Sequence, residues 1–260
     1  MKKAWISALP RDEQAVHRLM AELQQLGYGT DGHFWTDDLA KMAWSGPRAA
    51  LLARETAVWV IVGAPADFTV PSVRYGLSML SLSVQAHRGL GFPVMIVSAG
   101  GAVDVAALPT PLRGIDTLAL DTPALGTKIV AKAAIPPPKI APEYRLDVYA
   151  VPGIGQWFEV GPAPGHAWKG AMFGVAGGDA TIDTHGFGPA GQLPERCVLN
   201  YPMQGLKLQL GGRDFTAWAI QNPVDDHSSY YLRVKEAPAA ILFGAFPESD
   251  DAEAFTIQLQ

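Results

Sequence analysis

The chain has 260 residues, of which 48% are hydrophobic and 17% charged. That is ample to bury a core, too apolar for a disordered chain, and longer than one typical domain, so two domains are expected. Lys and Arg number 20 against 25 Asp and Glu, a formal net charge of -5, which argues against a protein whose partner is a nucleic acid backbone.

The opening MKKAWISALPRDEQ carries two lysines and only a short apolar run before charges return. Neither a signal peptide nor a membrane span is predicted. Lys3–Ser7 reads as a first strand. Asp12 and Glu13 open a helix with acids in its first turn, where the helix dipole favours them. Val16, Leu19, Met20, Leu23 and Leu26 recur at helical spacing and predict one apolar face against a sheet. Gly27 stops this helix. Thr30–Trp35 reads as a second strand, followed by Thr36-Asp37-Asp38. Ser45 is a candidate cap for a helix over Gly46–Glu55, with Pro47 near its first turn.

Thr56–Val62 (TAVWVIV), ended by Gly63-Ala64-Pro65, is dense enough to predict a strand buried on both faces. Ser72–Arg88 reads as a helix, Phe92–Val97 as a fourth strand and Ile115–Leu120 as a fifth. Asp121-Thr122-Pro123 is a candidate cap for a last helix, Ala124–Ala134. Strand and helix alternate throughout, which predicts a five-stranded parallel sheet with helices on both faces.

Four prolines fall within residues 135–142. They cannot continue a helix and favour an extended spacer, so a linker is predicted over residues 135–144. After it, short β-rich runs alternate with Gly and Pro turns: Leu146–Val151, Gln156–Val160, Ala167–Val175, Thr181–Thr184, Cys197–Tyr201, Leu206–Leu210, Phe215–Gln221, Tyr230–Val234, Ala239–Phe243 and Phe255–Leu259. Gly211-Gly212 signals a hairpin. This spacing predicts a β-sandwich over residues 145–260. The first 100 residues hold 9 Lys and Arg against 8 Asp and Glu, and the rest 11 against 17. The acidity shows most in Glu248–Glu253, expected to be a solvated loop. The single cysteine, Cys197, excludes an internal disulfide framework. A soluble, cytoplasmic protein with no membrane partner is expected.

Residues 1–134 resemble the TIR domain and its flavodoxin-like relatives. Ala4-Trp5-Ile6-Ser7 followed by Asp12 is similar to that family's first box, a strand ending in Ile-Ser before a charged loop. Gly46–Val62 is similar to its second region, a glycine, a helix and an apolar strand. Ser72-Val73-Arg74-Tyr75 sits where the family often has Ser and an aromatic residue at the start of the next helix. Nucleoside deoxyribosyltransferases have a similar topology. The resemblance implies cleavage of NAD where the family's glutamate follows on that helix. Here the matching stretch is Tyr75-Gly76-Leu77-Ser78-Met79, and no carboxylate occurs between Pro71 and Gly100. Glycosidic cleavage needs such an acid at the ribose, so its absence puts that chemistry in doubt.

The resemblance implies the strand order 2-1-3-4-5, in which the crevice opens between the ends of the first and third strands. The polar groups on its loops are Ser7, Arg11, Asp12, Asp67, Ser72 and Arg74, the candidate ligand-binding residues. Arg11 or Arg74 could pair with a phosphate, and a helix starting near Ser72 offers free backbone N–H groups. The alternative is that Asp12 and Ser72 are helix caps and the arginines surface charges. Trp35, Asp37, Asp38 and Trp44 lie near the second strand's end, where an acid can hold a ribose hydroxyl or cap a turn. No glycine-rich nucleotide loop is present, and no cofactor or metal is called for.

In the second half, Asp183 and His185 of the run Asp183-Thr184-His185 would share a strand face, and the alternative of a Cys197–His227–Asp225 triad rests on geometry that a sequence does not exclude. His166, Asp179 and Asp226 are further scattered candidates. Trp157, Phe158, Trp168, Phe173, Trp218, Tyr230 and Tyr231 form either a binding platform or a sandwich core. The leading expectation is a non-catalytic recognition or assembly protein, holding a nucleotide-type small molecule. Its partners would be another protein or a second copy of the chain. The alternative is an enzyme acting on the glycosidic bond of NAD or a nucleoside, with an acid borrowed from Asp12, Asp37 or Asp67, or from the β-rich second domain.

Overall fold

A computed structural model describes residues 1–247 and 254–260, so the acidic stretch Glu248–Glu253 lies outside the described residues. The chain divides into two compact units, Met1–Ile140 and Ala141–Gln260. The division falls inside the run of prolines, where fixed φ and missing N–H groups deny the backbone both helix and ladder.

In the first unit, β1 (Lys3–Ala8), β2 (Gly29–Phe34), β3 (Thr56–Gly63), β4 (Val94–Ser98) and β5 (Asp116–Ala119) form one parallel sheet. Its order is β2-β1-β3-β4-β5. The helices are α1 (Glu13–Gln25), α2 (Arg48–Leu52), α3 (Pro71–Arg88) and α4 (Leu125–Ala134). Strand alternation explains the layers. Ala4, Ile6 and Ala8 of β1 and Val58, Val60 and Val62 of β3 pack on Val16, Leu19 and Leu23 of α1 and Leu125 and Ile129 of α4. Trp5, Ser7, Trp59 and Ile61 point the other way and are also buried. β3 is therefore covered on both faces, as its unbroken apolar run requires.

α3 is buried along most of its length and includes the buried Ser78, Ser81 and Ser83. Two of these hydroxyls are spent on neighbours: Ser81 donates to Pro111 O at 2.9 Å, and Ser83 accepts from Arg48 Nε at 2.6 Å. No helix among the described residues is long and apolar enough to cross a membrane.

Helix ends depart from the sequence pattern. Ser45 sits in a 3-10 turn and donates to Met42 O at 2.9 Å, leaving α2 to begin after Pro47 without a side-chain cap. Pro71 occupies the first turn of α3 after Val70, so Ser72 does not cap it. α4 is preceded by Ala124 at φ 57, and Asp121 does not cap it. Its first-turn Gly126 N–H donates instead to Glu22 of α1, at 2.8 Å.

The second unit has nine strands among its described residues: β6 (Tyr144–Val151), β7 (Gly155–Pro162), β8 (Ala171–Ala176), β9 (Thr181–Pro189), β10 (Met203–Leu210), β11 (Arg213–Ile220), β12 (Ser228–Lys235), β13 (Ala240–Ala245) and β14 (Ala254–Gln258). They pair antiparallel in two sheets, β10-β11-β8-β13-β14 and β6-β7-β12-β9, a β-sandwich. Gly211 and Gly212 make the β10–β11 turn with φ of 58 and 74, conformations open to glycine. The expected strand Cys197–Tyr201 is a loop. The buried Asn222 side chain takes its backbone, accepting from Asn200 N at 2.7 Å and donating to Val198 O at 2.9 Å. Tyr201 at φ 46 ends any extended run. Phe158, Phe173, Tyr230, Tyr231 and Phe243 are fully buried, so these aromatics build the interior rather than a platform.

Candidate functional site

The mouth of the parallel sheet is held together by most of the groups that could have faced a ligand. Ser7 is fully buried and its hydroxyl accepts the indole N–H of Trp59 at 2.9 Å. Asp12 caps α1, accepting from Ala15 N at 3.0 Å. Arg11 is exposed, 3.4 Å from Glu13 and above the Phe34 ring. Asp67 accepts from Ala64 N at 2.7 Å and closes the turn after β3. Arg74 donates to Phe68 O at 3.1 Å and Ala107 O at 2.6 Å, tying two loops, and burial pulls its pKa down.

Ser72 and Asp37 are brought together across 35 residues of sequence: the hydroxyl donates to Asp37 Oδ2 at 2.6 Å. The loop after β2 thereby supplies a carboxylate to the first turn of α3, a helix with none of its own. Asp38, next to it, accepts from Lys41 N at 3.0 Å and pairs with its ammonium, which holds the carboxyl below its usual range.

Behind this mouth runs a row of rings that the candidate residues did not include as a group. His33 lies between Trp5 and Trp35, with ring centroids 5.8 Å and 6.0 Å away. Trp5 Nε1, His33 Nδ1 and Trp35 Nε1 are all buried without a protein partner. Such a group costs about 1–3 kcal/mol when left unpaired. Burial lowers the His33 pKa and favours the neutral imidazole. Trp35 lies close against α3 at Gly76, where an added Cβ would stand 2.8 Å from its ring. The available signal was spacing: His33 and Trp35 are two apart at the end of β2, on one face.

A pocket of about 650 Å³ opens at the carboxyl ends of β4 and β5, between α1 and the start of α4. Ala15, Leu19, Leu120 and Leu125 give it apolar walls. Arg18, Glu22 and Asp121 give it charge, and Gly100-Gly101 form part of the rim. A second pocket, of about 630 Å³, lies near Lys2, Arg54, Thr56, Arg88 and Phe92. There Arg88 donates to Leu51 O, Ala53 O and Thr56 O and stacks over Phe92, so its guanidinium is consumed by the fold.

In the sandwich, the residues Asp183 and His185 go to different partners. Asp183 pairs with Arg233 at 2.7 Å and Lys235 at 2.9 Å, while His185 Nδ1 lies 2.8 Å from the Tyr230 hydroxyl. A register shift between Thr184 and Ile182 makes Asp183 a bulge and breaks the expected alternation. Asp225 closes a turn through His227 N and the Ser228 hydroxyl, both at 2.9 Å, and Cys197 is exposed. No group of three or more His, Cys, Asp or Glu residues among those described is placed to hold a metal ion. Glu159, which no local pattern singled out, is buried and accepts from the Tyr149 hydroxyl, from Ser229 at 2.7 Å and from Gly191 N at 2.7 Å. Burial and this carboxylate push the Tyr149 pKa far up. The cluster anchors a loop and leaves Glu159 well supplied with donors.

No protein-family model matches the chain, and no curated protein matches it.

Proposed function

We propose that the chain is a recognition protein whose α/β unit, TIR-like in layout, binds a nucleotide-type small molecule without cleaving it, and whose β-sandwich engages a protein partner. One observation carries this reading: α3, where a glycosidic enzyme of this layout would keep its acid, offers the buried Gly76, Ser78 and Met79 and no carboxylate. An oxocarbenium-like transition state there lacks its stabilising charge. Binding asks for less, namely a concave site at the carboxyl edge with apolar walls and a few polar groups. Incubation with NAD is expected to release no nicotinamide. A thermal-shift panel of nucleosides and nucleotides is expected to raise the melting temperature with at least one member. Sustained nicotinamide release ends the non-catalytic claim, and a flat panel ends the binding claim.

The Asp37–Ser72 hydrogen bond supports a second reading, an enzyme that cleaves the glycosidic bond of NAD or a nucleoside. Asp37 would be the acid borrowed from the β2 loop. If nicotinamide is released and Asp37→Asn abolishes the release, this reading replaces the first.

A further inference from the structure

We infer that the pocket at the carboxyl ends of β4 and β5 is the ligand site of the α/β unit, and that it takes an unphosphorylated ribonucleoside in preference to the corresponding nucleotide. The inference rests on the nucleotide-type reading above and narrows it to a place and a charge state. The volume, about 650 Å³, lies in the range of small-molecule sites. It opens where parallel sheets hold ligands, though displaced from the β1–β3 mouth, whose polar groups are largely spent on the fold.

The charge pattern selects the ligand. Phosphate usually sits at a helix N-terminus, where backbone N–H groups and the dipole meet it. Here that seat on α4 is filled from within, because Glu22 accepts the Gly126 N–H at 2.8 Å. A phosphate would have to displace this carboxylate and lie beside Asp121, which lines the same pocket. Ribose hydroxyls have the opposite preference, since they donate to carboxylates. Neither Asp121 nor Arg18 is engaged by another side chain among the described residues, so both are available to a ligand. Arg18 can donate to a carbonyl or ring nitrogen of the base. Leu19, Leu120 and Leu125 give its flat face an apolar wall. At the rim, Gly100 and Gly101 have φ of 80 and 141, which side chains rarely adopt. The backbone there stays bare, and Ser98 fixes it by donating to Gly101 O at 2.6 Å.

Isothermal titration calorimetry on the full chain tests this, with adenosine, guanosine, cytidine and uridine, their 5′-monophosphates and their 2′,3′-dideoxy forms. At least one ribonucleoside is expected to bind about tenfold tighter than its monophosphate and its dideoxy form, the weight of about one charge-assisted hydrogen bond. Asp121→Asn and Arg18→Ala, both exposed positions, are expected to weaken it by about the same factor with unchanged thermal melts. Glu22→Gln keeps an oxygen for Gly126 and removes the charge, so the nucleoside's advantage over the monophosphate is expected to shrink. Monophosphates binding tighter than nucleosides, or full affinity in both Asp121→Asn and Arg18→Ala, overturns the inference and leaves the broader reading standing. No binding of any probe overturns the inference too, and the broader reading then stands or falls with the thermal-shift panel.

Discussion

The hydroxyl of Ser7 is committed to Trp59 because an indole N–H at 0% exposure has no water to donate to. Ser7→Ala is therefore expected to cost about 1–3 kcal/mol, the price of an unpaired buried donor. Urea unfolding measures this, and nucleoside affinity is expected to stay unchanged; a loss of affinity without a loss of stability would return Ser7 to the ligand. His33 makes a prediction with a sign. Burial holds its pKa below the ordinary 6.5, so between 6.5 and that lower value the unfolded chain binds the extra proton. The His33 contribution to stability is thus present above 6.5, falls as the pH drops through this window, and levels off below the folded value. Burial shifts His185 in the same direction. His33→Gln is expected to show a smaller loss than wild type between about pH 7.5 and about pH 5 in denaturant midpoints. An equal loss would assign the acid sensitivity elsewhere. At this scale legibility depended on distance along the chain. The Asp12 cap was readable because its partner is three residues away. The partners of Ser7 and Ser72 lie 52 and 35 residues away, and only the fold brings them together.

Elements were legible where burial alone decides them. β3 and β4 are dense apolar runs, and α1 repeats its buried residues at helical spacing with an acid before it. What remained unreadable are ends and irregularities set by neighbours: the Glu22 cap on α4 comes from 104 residues away, and the Asp183 bulge depends on the pairing with β12. β2 shows both kinds. Its sequence, GTDGHF, is weakly apolar, as an edge strand can be, yet it carries His33 to its place beside Trp5. Gly32 permits this, because a Cβ there would stand 2.3 Å from the Ile6 carbonyl oxygen of β1. Backbone cannot yield as a side-chain tip can, so Gly32→Ala is expected to push β2 off β1. The expected loss is about 1–3 kcal/mol, the usual range for forced overpacking. Hydrogen exchange should show it as lost protection in residues 29–34. Full protection with unchanged stability would mean that β2 has more freedom than its register implies.

On the scale of the whole chain, proline content marked the division because its physics is local: four prolines in residues 135–142 bar helix and ladder whatever surrounds them. The two units differ in what each must do to fold. Met1–Ile140 builds a parallel sheet whose faces need helices from both sides, and Ala141–Gln260 closes two antiparallel sheets over its own aromatic interior. Each exceeds the roughly 60 residues at which a domain becomes marginal, so each can bury enough surface to fold without the other. Fragments cut between Ile140 and Ala141 are therefore expected to unfold cooperatively, with coincident circular dichroism and fluorescence transitions. Every residue lining the β4–β5 pocket belongs to the first fragment. That fragment is expected to bind the ribonucleoside with the affinity of the full chain, and the second to bind none. If the second fragment carries the protein-binding role, it alone is expected to retain a partner captured by the full chain. A first fragment that keeps every partner removes that role from the sandwich. A first fragment that melts without cooperativity shows instead that the parallel sheet draws its stability from the rest of the chain, and the assignment of the pocket to an autonomous unit falls with it.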